Sequence, residues 1–82
     1  MKIDFSVPFQ ISKHFRNTWM RKWSCDLHEL RLACIESKKI QPIGKKGKIE
    51  IYTNLKGRKI KIIASIMYED EIFIITGAEG HD

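Results

Sequence analysis

Residues 49–76, IEIYTNLKGRKIKIIASIMYEDEIFIIT, decide the fold. Their apolar residues recur at every second position, the period of a strand with one buried face. In residues 48–53, Ile49 and Ile51 share one face, while Lys48, Glu50 and Tyr52 share the other. In residues 57–68, Ile60, Ile62, Ala64 and Ile66 share one face, and Lys59, Lys61, Ile63, Ser65 and Met67 the other. Residues 71–76 are nearly all apolar, as in a central strand. Leu55-Lys56-Gly57 and residues 68–71 (YEDE) read as the hairpin turns between them.

Toward the N-terminus the period lengthens. Ile11, Phe15, Trp19 and Trp23 recur every four residues, which predicts a helix over 12–23 with Ser12 as its cap. Asp26 and Glu29 have the spacing of a capping box, so a second helix starts there with Leu27, Leu30, Ala33 and Cys34 on its buried face and Ile35 flanking. Residues 2–9 alternate loosely and read as a short edge strand, where Pro8 is tolerated. The expected class is α+β, with two N-terminal helices packed on one face of a three- to four-stranded, mainly antiparallel sheet. At 82 residues the chain forms one domain, 1–82, with one small core.

Charge is distributed unevenly. All fifteen Lys and Arg lie in residues 1–61 with five acids, a balance of +10; residues 62–82 hold five acids and no Lys or Arg, a balance of −5. A basic body of this kind suggests an anionic partner such as nucleic acid. No apolar run approaches the roughly 20 residues of a membrane span. MKIDFSVPFQ lacks the apolar core of a signal peptide, so a cytoplasmic location with reduced Cys25 and Cys34 is expected. Nine residues along one helix would hold the two thiols about 13 Å apart, too far for a disulfide.

Residues 12–24, SKHFRNTWMRKWS, carry the densest chemistry. On an ideal helix His14, Thr18 and Arg21 share a polar strip, with Arg16, Lys13 and Met20 on the other flank of the apolar stripe. An imidazole can move a proton near neutral pH, and a guanidinium can clamp a phosphate. Cleavage of RNA by its own 2′-hydroxyl needs those groups and no metal. A solvated helix face accounts for the same spacing. Lys48, Tyr52, Lys59 and Lys61 share one sheet face if the 53–58 turn is tight, and such a face suits RNA. Alternating lysines also protect a strand from aggregation. Cys25, His28 and Cys34 do not make a zinc pattern, and GKKGK (44–48), which reads as a mobile basic loop, lacks the spacing of a phosphate-binding loop. No cofactor or metal is expected.

The order of parts, ISKHFRNTWMRKWS, DLHELRLACIES, a basic loop, then the strands ending in Thr76, resembles a small branch of the RelE/ParE/BrnT-like toxin superfamily over residues 11–77. His14, Met20, Arg21, Gly57-Arg58 and Thr76 stand at its motif points. The resemblance implies a curved antiparallel sheet, endoribonuclease activity in many members, and neutralisation by an antitoxin-like protein. Carried over, His14 is the candidate general base or acid, and Arg21 and Arg58 are phosphate ligands. The ending GAEGHD departs from the family pattern, and His81 is given no role. The expected function is a toxin-like RNA-binding domain, with RNA or the ribosome contacted through Arg16, Lys48, Tyr52, Lys59 and Lys61. The alternatives are a non-catalytic nucleic-acid module and a protein-interaction domain.

Overall fold

The computed structural model of the protein describes residues 3–44, 47–68 and 70–79. Five strands, β1 (Phe9–Ile11), β2 (Lys39–Pro42), β3 (Lys48–Leu55), β4 (Arg58–Ser65) and β5 (Ile72–Glu79), form one open sheet in the order β1-β5-β4-β3-β2. Strands β2 to β5 pair antiparallel and β1 pairs parallel to β5. The class is α+β as expected, but the sheet is mixed and five-stranded rather than three- to four-stranded. The addition is β2, too short to carry a visible period, while β1 takes the place of the edge strand expected over residues 2–9.

The β3–β4 hairpin turns on Lys56 and Gly57, whose φ angles of 52° and 81° are those of a type I′ turn. That turn matches the twist of the flanking strands and sets Leu55 opposite Arg58. Between β4 and β5, Ile63 faces Thr76 while Ala64 faces Ile74, so Ile75 is the extra residue of a bulge. The Ile75 carbonyl is taken by Ser12, whose Oγ donates to it at 2.6 Å and accepts the Phe15 N–H at 3.0 Å. One hydroxyl therefore caps the first helix and fastens it to β5.

The first helical segment spans 13–23, but only Lys13–Phe15 and Arg21–Trp23 are α-helical; Arg16–Met20 is π-helical. It ends in a Schellman motif, with Ser24 left-handed at φ 51°, its N–H on the Arg21 carbonyl and that of Cys25 on the Met20 carbonyl. The second helix, Leu27–Ile35, opens with the expected capping box of Asp26 and Glu29. Leu30, Ala33 and Cys34 are buried, whereas Leu27, expected on that face, is 38% exposed. Thr53 Oγ1 donates to the Ala33 carbonyl at 2.7 Å and ties this helix to β3.

The core lies between the helices and one sheet face. Phe15, Leu30, Ile49, Ile51, Ile60, Ile62 and Ile74 are fully buried there, each contributing about 1.5–3 kcal/mol by leaving water. The sequence boundaries shift at two places. Residues 3–8 do not pair as a strand; they cross the end of the core, and Arg31 Nη1 holds them by donating to the Phe5 and Val7 carbonyls at 2.6 and 2.7 Å. The strand begins at Phe9, after Pro8, which has no N–H to give but accepts that of Ile72. At the other end β5 continues past Thr76 through Gly77 to Glu79. The expectations for Lys2, Lys45, Lys46, Glu69 and His81 lie outside the described residues.

Candidate nucleic-acid interface

Because side chains alternate along a strand, burying the isoleucines of β3 and β4 turns Lys48, Glu50, Tyr52 and Asn54, with Lys59, Lys61, Ile63 and Ser65, to the opposite face. The cross-strand register brings this set together. Tyr52 stands between Lys61 on β4 and Lys39 on β2, Asn54 faces Lys59, and Lys48 faces Ser65. All four residues expected on a common sheet face are therefore on it, because the hairpin is the tight one that the expectation required.

Glu50, which the sequence reading did not single out, occupies the middle of this face. Its carboxylate accepts from Gln41 Nε2 at 2.8 Å and from the Tyr52 hydroxyl at 2.7 Å, and Lys61 Nζ lies 3.3 Å from its second oxygen. Those bonds, Gln41 first, hold the Glu50 carboxyl below its ordinary value. Donating to Glu50 raises the Tyr52 phenol above its own. Tyr52 is thus a neutral ring fixed in orientation, with Lys39 Nζ 5.5 Å from its centroid. Lys38, Lys39, Tyr52, Asn54 and Lys59 border a hollow of about 260 Å³ whose lining contains no carboxylate. Lys38 and Lys39 follow the end of the second helix in sequence, and β2 is too short for its strand period to be read.

The helix-borne candidates are distributed differently. His14, Arg16 and Arg21 are all exposed. Arg16–Met20 is π-helical, so the ideal α-helical spacing that set Arg21 over His14 does not hold across it. Arg16, Met20 and Arg21 line one groove, and His14 does not border it. Arg58 is at the start of β4, where Nη1 lies 3.1 Å from Glu79 Oε2. Glu79 also accepts from Trp23 Nε1 at 2.6 Å and pairs with Lys22 at 3.3 Å. This places Arg58 beside the last turn of the first helix, while His14 is in the first. The structure thus does not bring His14, Arg21 and Arg58 to one point.

Cys34 is fully buried and burial pushes its thiol up to about 12, while Cys25 is raised by burial and by the nearby Glu29. Among the described residues, no group of three His, Cys, Asp or Glu is placed to hold a metal ion, and no helix is long and apolar enough to cross a membrane. No protein-family model, curated protein or solved structure matches this chain, so geometry alone bears on its function.

Proposed function

We propose that the outer sheet face of this small α+β domain binds single-stranded RNA. The observation that carries the reading is the cluster of Lys38, Lys39 and Lys59 around Tyr52, at a hollow on the face turned away from the core. Ammonium groups neutralise backbone phosphates, and an immobilised ring takes an unpaired base by stacking. Lys48 extends the positive track along β3, and Lys61 is offset by Glu50. This reading needs no convergent acid–base pair. The endoribonuclease expected from the resemblance needs His14 and an arginine at one phosphate, and nothing in the arrangement of His14, Arg21 and Arg58 supports it.

The test is fluorescence anisotropy with a labelled twelve-nucleotide single-stranded RNA across a salt series. Binding is expected to weaken with salt, and Lys39→Glu with Lys59→Glu is expected to cost at least tenfold and to flatten the salt slope. Affinity unchanged in that double variant would overturn the assignment of RNA to this face. Incubating the same RNA without divalent metal, with wild type and His14→Ala, separates binding from cleavage.

A further inference from the structure

On the other side of the molecule, a groove of about 360 Å³ is lined by Ile11, Arg16, Met20, Arg21, Cys25 and Leu27. Its lining is apolar apart from the two arginines. Among the described residues neither Arg16 nor Arg21 takes part in an ion pair, whereas Lys22, Lys56, Arg58 and Lys61 all do. Both arginines, five residues apart across the π-helical turn, border the same groove. Leu27 is left partly exposed beside them, although its helix packs on the sheet. The molecule thus carries an apolar hollow with an unneutralised cationic rim.

The same chain carries the complementary shape. Between β4 and β5, Met67 and Tyr68 are 55% and 63% exposed, high values for large apolar side chains. Asp70 and Glu71 follow them, and among the described residues neither has an ion pair. In its own molecule Tyr68 and Glu71 border a different hollow, with Ile3, Val7 and Ile72, and no described residue of the loop lines the groove.

We propose that the β4–β5 loop of one molecule seats in the groove of a second copy of this chain. Met67 and Tyr68 cover Ile11, Met20 and Leu27, while Asp70 and Glu71 meet Arg16 and Arg21. Loop and groove are different surfaces, so two copies can exchange them reciprocally about a two-fold axis or join head to tail. It uses neither the outer sheet face nor its lysines, and is independent of the RNA reading.

Sedimentation velocity on the full chain from about 10 µM to about 1 mM tests this, since exposed charge pairs respond to ionic strength. Wild type is expected to associate with rising concentration at 50 mM NaCl and to dissociate at 500 mM. Arg16→Glu with Arg21→Glu sets an acidic groove against an acidic loop and is expected to be monomeric. Asp70→Lys with Glu71→Lys sets a basic loop against a basic groove and is expected to be monomeric too. Mixed in equal amounts, the two variants offer opposite charges at every contact, and association is expected to return. Circular dichroism of each variant confirms that it is folded. A wild type monomeric throughout, or a mixture that stays monomeric, overturns the proposal.

Discussion

The indole Nε1 of Trp23 donates to Glu79 Oε2 at 2.6 Å, and the same carboxylate faces Lys22 and Arg58. One acid thus gathers the end of the first helix, the start of β4 and the end of β5. The Trp23 bond, then the two cations, hold the Glu79 carboxyl below its ordinary value of 4.5. A carboxyl lowered in the folded state stabilises that state above the unfolded pKa, and the stabilisation is lost as pH falls through the lowered value. Glu79→Gln is therefore expected to reduce the urea midpoint at pH 7, with an effect that shrinks progressively as the pH is taken below the ordinary carboxyl value of about 4.5. A deficit that stays constant down to pH 3 would show that the ionised carboxylate is not what stabilises the fold.

Gly77 is the reason the rings of the first helix can approach β5 so closely. A Cβ there would lie 3.0 Å from Trp23 Cη2, 3.1 Å from Phe15 Cε2 and 3.2 Å from the Lys61 carbonyl. Both rings are buried and packed edge-on at 5.8 Å, so neither has room to retreat. Gly77→Ala is expected to destabilise by about 1–3 kcal/mol, read from urea unfolding. A neutral or stabilised variant would mean that the rings repack without cost.

The same glycine shows what the sequence could reveal. Alternation in residues 48–68 identified the two long strands and their faces, because a one-residue slip would bury lysines. It lost β5 at Thr76, since a glycine reads as a strand end when its neighbour across the core is unknown. The 3.6-residue period found Phe15 and Trp23 as core but grouped Arg21 with His14. The local widening at Arg16–Met20 leaves no compositional mark. Nothing local in the sequence marks Arg31 or Glu79, because their partners are more than twenty residues away. The basic sheet face was legible in residue type and register, while Glu50 at its centre was not, since its partners sit on three strands.

Arg31 closes the end of the core. Besides its two carbonyl bonds it stacks 4.6 Å from the centroid of Phe9. Arg31→Met keeps much of the apolar stem and removes the donors. Hydrogen exchange at residues 5–9 is expected to accelerate at least tenfold, with β3 and β4 keeping their protection, because the segment opens locally. Equal acceleration across the sheet would make Arg31 a global rather than a local fastener.

The two thiols differ in access. Cys34 is wholly buried with its thiol pushed up to about 12, and Cys25 is 8% exposed at the groove. Iodoacetamide at pH 8 is expected to leave Cys34 unmodified in the folded protein and to react with Cys25 slowly, because only the thiolate attacks. Urea should make both react within minutes, read by intact mass. Rapid labelling of Cys34 in the native state would contradict its burial.

Glu50 gives the most direct test of how RNA would cross the outer sheet face. Its negative charge engages Lys61 at 3.3 Å and sits beside the ring that would stack a base. Glu50→Gln removes that charge while an amide oxygen can still accept from Tyr52 and Gln41. Lys61 then becomes available to a phosphate. The expected outcome is RNA affinity several-fold tighter at 100 mM salt and a salt slope steeper by about one, the signature of one added phosphate contact. The increase should disappear when Lys61→Ala is introduced on the same chain. If Glu50→Gln leaves both affinity and slope unchanged, the phosphate track does not pass Lys61, and the bound strand must run through the cluster of Lys38, Lys39 and Lys59 alone.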